Sequence, residues 1–251
     1  VLDAQDNTLT TEPQPTELQA PTYTITERFE FMEALIGMVI RGDAKSMVIS
    51  GEGGVGKTFS VLDALRQQGL IDVNTVQPTV DSIMEIKVPD SQPVIEDKII
   101  AQMDSNRGDY VVVKGHSSAK SLYRLMFENR NRIIIFDDCD SVLRDGSAID
   151  LLKAALDSYE DRWVSWKSDT MFDLPSCFKF NGSIIFISNR RLSTIDEAIR
   201  TRCFKVDLSM TKPQRIERMR SVLEHVMPEV DMEFKTDALN LLEENLSLTD
   251  D

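Results

Sequence analysis

An α/β fold on a doubly wound parallel sheet, followed by a small all-helical unit, is what the 251-residue sequence predicts. Three observations carry it. Runs such as Arg132–Asp137 and Ser183–Ser188 are apolar almost throughout, which means burial on both faces and hence a parallel sheet. These runs alternate with stretches of helical apolar period, so strands and helices take turns along the chain. After Met210 the strand pattern stops and only helical periodicity remains.

Taken in order, residues 1–22 carry Asp3, Asp6, Glu12 and Glu17 and no Lys or Arg, so they read as a flexible acidic tail or linker. A start at Val1 suits a fragment or a processed chain. Thr26–Arg41 has apolar residues at Phe29, Met32, Leu35, Ile36, Val39 and Ile40, with Thr26 as the expected N-cap and Gly42-Asp43 as the stop. Strands are expected at Ser46–Ser50, Tyr110–Lys114, Arg132–Asp137, Ser183–Ser188 and Phe204–Leu208, five in all. Helices are expected at Phe59–Gln68, Ser118–Asn129, Ala148–Ser158, Pro213–Val226 and Thr236–Asn245. Residues 70–109 hold Pro78, Pro89 and Pro93 and read as an irregular insertion with a short hairpin near Ile83–Val88. The nucleotide-scale α/β unit is thus expected over 23–209 and the helical unit over 210–251.

Composition narrows the class. Lys plus Arg is 28 and Asp plus Glu is 42, a net charge of −14, with 41% hydrophobic residues. That is globular, not disordered, collagenous or coiled-coil. No apolar run is long enough to span a membrane, and the first residues do not read as a secretory signal. The charge argues against a surface that coats nucleic acid non-specifically. Cys139, Cys177 and Cys203 form no metal-ligand pair and suit a reducing compartment.

The chemistry concentrates at strand ends. Gly51-Glu52-Gly53-Gly54-Val55-Gly56-Lys57-Thr58 lies between a strand and a helix and matches the P-loop pattern. Glycines let successive backbone N–H groups turn inward as an anion nest, and the helix N-terminus adds its dipole. Lys57 would reach the β- and γ-phosphates of ATP, and the Thr58 hydroxyl would ligate Mg²⁺. Asp137 and Asp138 end the third strand on the same sheet edge. Asp137 would hold the Mg²⁺ shell, and Asp138 would orient or deprotonate the attacking water. Asn189, after the fourth strand, would bond the γ-phosphate and that water. Arg200 and Arg202 precede the last strand, where an arginine can neutralise phosphoryl charge in a neighbouring subunit.

This ordered set of P-loop, paired acids, strand-end Asn, Arg-x-Arg and small helical lid resembles the AAA+ ATPases, over about residues 24–250. The resemblance makes Lys57 and Thr58 Walker A residues, Asp137 and Asp138 the Walker B pair, and Asn189 sensor 1. Thr201-Arg202-Cys203 resembles the Ser-Arg-Cys of clamp loaders, which favours Arg202 over Arg200 as the arginine finger. Lys114–Tyr123, Phe136–Val142 and Trp163–Trp166 are similar to ATPases of tailed bacteriophages and some bacteria. Three features depart from the pattern. Residues 70–109 are longer than a plain connection between the P-loop helix and the second strand. The second acid is Asp138 where most of the family has Glu, although bacterial replication initiators also carry Asp. A sensor 2 arginine is expected on a later lid helix, and the chain ends at Asp251 before it, so the lid is read as truncated.

The resemblance implies an oligomeric ring, with a hexamer expected, that hydrolyses ATP and remodels or translocates a macromolecule, nucleic acid or protein complex, in the cytoplasm (the host's if viral). The alternative is a nucleotide-dependent assembly switch with slow turnover. A P-loop NTPase outside the AAA+ group would lose Asn189 and Arg202 as site groups. Gly115-His116-Ser117-Ser118 lacks the aromatic-apolar pair of protein-threading relatives. Lys114 and Lys120 flank it and could meet phosphate, against a plain Ser-capped helix start. Arg162–Lys167 and Cys177–Phe180 are expected to pair as a hairpin, with Trp163 and Trp166 on opposite sides, packing on the core or stacking on bases. His116 and His225 read as ordinary polar residues. Lys212, Arg215, Arg218 and Arg220 are expected to form a solvated basic face or to touch a neighbouring subunit.

Overall fold

The computed structural model describes residues 23–74, 109–115, 118–159, 161–167 and 174–248. The elements in chain order are α1 (Ile25–Arg41), β1 (Ser46–Ser50), α2 (Lys57–Gln67), β2 (Tyr110–Lys114), α3 (Ala119–Glu128), β3 (Ile133–Asp137) and α4 (Gly146–Ala155). They continue with β4 (Trp163–Ser165), β5 (Cys177–Lys179), β6 (Ser183–Ser188), α5 (Glu197–Arg200), β7 (Phe204–Asp207), α6 (Lys212–Val222) and α7 (Met232–Leu248). The expected hairpin at Ile83–Val88, the tail 1–22 and His116 lie outside the described residues.

Five strands form one parallel sheet in the order β2-β3-β6-β1-β7. Each central strand is apolar on both faces because alternate residues feed two cores. Val48, Ile134, Phe136, Ile184 and Phe186 face Leu122, Tyr123 and Met126 of α3 and Leu152 of α4. Met47, Ile49, Ile135, Ile185 and Ile187 face Met32 and Ile36 of α1 and Val61 and Leu65 of α2. Phe136 and Phe186 stack across the β3–β6 pair with centroids 5.4 Å apart. This is the α/β P-loop fold that the alternating pattern predicts.

Local chemistry moves several helix ends from their expected places. α1 is capped by Thr24, not Thr26. The Thr24 hydroxyl accepts from Glu27 N–H, and the Glu27 carboxylate accepts from Thr24 N–H at 2.7 Å. Thr26 has Phe29 three residues on, which cannot close such a capping box. α2 opens at Lys57 rather than Phe59. α4 starts at Gly146, because Asp145 accepts from the N–H groups of Ser147 and Ala148 at 2.8 and 3.2 Å. Thr211 and Gln214 form a second capping box at the start of α6, which ends at Val222 rather than Val226. α7 is longer than its predicted core, Thr236–Asn245.

The expected hairpin forms: β4 and β5 pair antiparallel, with Trp163 opposite Lys179. Its two tryptophans part company. Trp166 packs on Tyr123, centroids 6.2 Å apart, whereas Trp163 is 58% exposed. Buried Arg162 secures the hairpin by donating to the carbonyls of Ala155 (2.8 Å) and Gly182 (2.6 Å), and it lies against the Phe180 ring. Burial pushes its guanidinium down to about 10. Among the described residues no helix is long and apolar enough to cross a membrane.

Candidate functional site

Strand register builds the site. Ser50 lies opposite Ser188 and Ile187 opposite Asp137, so β1, β6 and β3 run out together at the carboxyl edge. The residues that follow each strand, Gly51–Thr58, Asn189 and Asp138, are thereby brought together although up to about 140 positions separate them in sequence.

Gly51–Gly56 wraps into the N-terminus of α2. Gly56 holds φ at +90°, the left-handed region that side chains avoid, as the loop turns into the helix. Lys57 is buried and its ammonium donates to three acceptors: the Gly51 carbonyl at 2.9 Å, the Glu52 carbonyl at 2.7 Å and Asn189 Oδ1 at 2.8 Å. Burial holds Lys57 below the usual lysine value, opposed by the charges of Asp138, Glu52 and Asp137.

Asn189 passes the contact on. Its Nδ2 donates to Asp138 Oδ1 at 2.8 Å, so Lys57, Asn189 and Asp138 form one chain of bonds. Asp138 has φ +53°, uncommon for a residue with a side chain. Its N–H donates to the Ile187 carbonyl at 3.0 Å, which ties that turn to β6. Asp137 is buried beside it. Its Oδ1 accepts from the Thr58 hydroxyl at 2.8 Å, and its Oδ2 faces Lys114 Nζ at 3.0 Å. A hydroxyl next to a buried carboxylate, at the end of an anion nest, is a hard-oxygen donor set that suits Mg²⁺. The residues present fit that ion.

Several residues enter this neighbourhood in roles that the motifs did not assign to them. Lys114 was expected near phosphate through the following loop, but it pairs with Asp137, which raises its pKa. The Glu52 carboxylate accepts from Met210 N–H at 3.0 Å and so ties the P-loop to the segment after β7. Asp140 accepts from the Ser188 hydroxyl at 2.9 Å, and Arg190 lies 3.8 Å from the same carboxylate, which braces the turn carrying Asn189. A polar residue at a strand end was the available signal for Ser188. The other contacts depend on tertiary placement.

Arg200 and Arg202 are not brought to this site. They lie just before β7, at the amino edge of the sheet. Arg202 donates to the Ala198 carbonyl at 3.0 Å, and Arg200 Nε is buried without an acceptor among the described residues. The basic group on α6 departs from the expected solvated face. Arg215 and Arg218 turn toward the P-loop and line a cavity of about 490 Å³ with Gly54, Val55, Gly56, Phe59, Met219 and Val222. Arg220 instead pairs with Glu243 of α7 at 2.7 Å. A smaller cavity of about 340 Å³ holds Lys57, Thr58, Asp138 and Asn189, and it shares Gly54, Gly56 and Phe59 with the first.

The chain is 28% identical over 171 residues to an uncharacterised 36.7 kDa protein of the nrdC–mobD intergenic region of Enterobacteria phage T4, covering 66% of this chain. The chain spans 42% of that relative's length. Among solved structures, it is similar to a chain of the E. coli MS115-1 HORMA:CdnC:Trip13 complex, at 12% identity and TM-score 0.37, covering 88% of this chain and 78% of that one. It is also similar to C. elegans PCH-2, at 15% identity and TM-score 0.35, covering 80% and 47%. The family model for the ATPase family associated with various cellular activities (AAA) matches residues 47–211, well over half of the chain and the whole span from β1 to the start of α6, and the chain belongs to that family.

Proposed function

We propose that this protein binds ATP with Mg²⁺ and hydrolyses it in an oligomeric ring. The observation that carries the reading is the bonded chain Lys57–Asn189–Asp138 beside the Thr58–Asp137 pair. Gly51–Thr58 cradles the phosphates through backbone N–H groups, and Lys57 neutralises the terminal ones. Thr58 and Asp137 would hold the Mg²⁺, whose charge would offset that of the phosphate oxygens. Asp138 accepts a proton from the attacking water as its oxygen bonds the γ-phosphorus. The bond from that phosphorus to the β–γ bridging oxygen breaks, leaving ADP and inorganic phosphate. Asn189, bonded to both Lys57 and Asp138, orients that water.

The position of Arg202 and Arg200 at the far edge of the sheet supports action on a neighbour's nucleotide. We assign Arg202 as the arginine that completes a partner copy's site, in a ring of this chain, with hexamer as the expected size. Residues 23–209 act as the nucleotide unit and 210–251 as its lid. Turnover drives remodelling or translocation of a macromolecule. One observation favours a second reading, a switch with slow hydrolysis: Asp138 is a methylene shorter than Glu and is already bonded to Asn189.

The test is ATP turnover against protein concentration for the wild type, Lys57→Ala, Asp138→Asn and Arg202→Ala. The ring reading expects specific activity to rise with concentration, and Arg202→Ala to abolish turnover while ATP still binds. Activity independent of concentration, with Arg202→Ala silent, would overturn the shared site. Tight binding with negligible wild-type turnover would favour the switch.

A further inference from the structure

The turn that carries Asn189 is fixed from both flanks. Before it, Ser188 is buried at the end of β6, and its hydroxyl makes two bonds at once. It accepts from the Arg190 N–H at 3.1 Å, which folds the chain back around Asn189, and it donates to Asp140 Oδ1 at 2.9 Å. After it, the Arg190 carbonyl accepts from the Ser50 hydroxyl at 2.6 Å. Ser50 is fully buried and is the last residue of β1, directly before the P-loop. The residues on either side of Asn189 are therefore each tied to another strand end, and its side chain is left to meet Lys57 and Asp138.

Asp140 lies two residues beyond Asp138, in the turn that leaves β3. That turn already holds β6 through the Asp138 N–H, which donates to the Ile187 carbonyl at 3.0 Å. The bonds Asn189 to Asp138 and Ser188 to Asp140 are further rungs between the same two turns. Arg190 Nε stands 3.8 Å from Asp140 Oδ2 with both side chains part exposed, so water weakens that attraction. The Ser188 hydroxyl is shielded from water, and its bond to a carboxylate is the stronger line. Without Asp140 this buried hydroxyl loses its acceptor, and the turn that it closes is no longer pinned to β3.

We propose that Asp140 is a positioning residue for hydrolysis: acting through the Ser188 hydroxyl, it aims Asn189 at Lys57 and Asp138. The inference rests on the hydrolysis reading above and adds a residue to it. The grip on the phosphates lies elsewhere, in the backbone N–H groups of Gly51–Thr58 and in Lys57, so loss of Asp140 acts on turnover rather than on binding.

The test is ATP turnover and calorimetric ATP binding, with Mg²⁺, for the full chain and for Asp140→Ala, Asp140→Asn, Ser188→Ala, Asn189→Ala and the double variant Asp140→Ala with Asn189→Ala. A misaimed Asn189 should lower kcat in Asp140→Ala by about 10- to 100-fold, with ATP affinity within threefold of the wild type. Asp140→Asn keeps an oxygen for the Ser188 hydroxyl and should recover part of that loss. Once Asn189 is gone Asp140 has nothing left to aim, so Asp140→Ala should cost nothing further in the Asn189→Ala background. A second readout needs no nucleotide. In protein labelled on asparagine nitrogen, the Asn189 side-chain amide resonance, identified by its disappearance in Asn189→Ala, should shift in both Asp140→Ala and Ser188→Ala. Melting curves report the fold; if Asp140→Ala melts early, Asp140→Asn and Ser188→Ala carry the comparison. Wild-type kcat in folded Asp140→Ala, the same further loss in the Asn189→Ala background, or an unmoved Asn189 resonance would each overturn the proposal. So would a fall in ATP affinity as large as the fall in kcat, which would mean a damaged phosphate loop rather than a misaimed amide. If the wild type binds ATP without turning it over, the hydrolysis reading fails, and the Asn189 resonance alone decides whether Asp140 holds that side chain.

Discussion

The carboxyl edge of the sheet and the C-terminal helix pair hold their cations by opposite means. Lys57 meets three acceptors within 2.9 Å, two of them backbone carbonyls of its own loop. Arg218 has an aromatic ring beneath it and, among the described residues, no acceptor for its buried Nε. The edge is assembled by three strands that end in register, with Ile49, Ile135, Ile185 and Ile187 buried behind it. The helix pair buries little: Ile216 and Leu239, while Phe234 and Leu241 stay exposed. A network of strand ends is fixed by three strands at once. A helix pair docked through so few side chains depends on each of them, and on what fills the cavity beneath it.

Packing gives the largest way to break that contrast. Ile185→Ala, in the middle of the sheet, should cost about 4 kcal/mol, because its surroundings are held by strands on both sides and cannot collapse into the void. Ile216→Ala, at a site with fewer neighbours to leave unfilled, should cost about 2 kcal/mol. Urea unfolding measures both. Equal losses would mean that the helix pair is as rigidly docked as the core.

The charge at the edge comes next. Lys57→Ala removes the cation from the phosphate nest and should weaken ATP binding by about 100-fold or more. Titration of ATP into the folded variant checks this. A loss under tenfold would mean that the backbone nest, and not the Lys57 cation, carries most of the binding.

A third test sits at the sheet's amino edge, where Gly182 leads into β6. A Cβ there would collide with the Arg132 carbonyl and crowd the Phe180 ring. Gly182→Ala should therefore cost about 1–3 kcal/mol, read from thermal melting, as the backbone shifts to make room. This position also shows what the sequence could not convey. The buried strands and the P-loop were legible because their signals are local: an apolar run, or a fixed spacing of Gly, Lys and Thr. Asp137, Asp138 and Asn189 were legible because a polar residue ending a buried strand has to face the sheet edge. Nothing local in the sequence marks Gly182, since only the approach of Arg132, fifty positions earlier, makes a glycine necessary there. The Thr24 cap was missed because Thr26 competes for the same role, and Glu27 decides between them. The turn of Arg215 and Arg218 inward was missed because their spacing fits a solvated face equally well, and only the packing of α6 against Phe29 selects the other side.

The smallest effect tests the helix pair alone. Arg220 of α6 and Glu243 of α7 pair at 2.7 Å, but both side chains are about half exposed. Water already solvates each charge well, and fixing two long side chains costs rotamer entropy, so such a pair contributes about 0–1 kcal/mol. Arg220→Ala should shift stability by no more than that, and the shift should shrink further in high salt. ADP affinity should stay at the wild-type value, because Arg220 faces α7 and not the cavity. A fall in stability of more than about 1 kcal/mol would show that this ion pair, and not the burial of Ile216 and Leu239, sets how firmly the two helices dock.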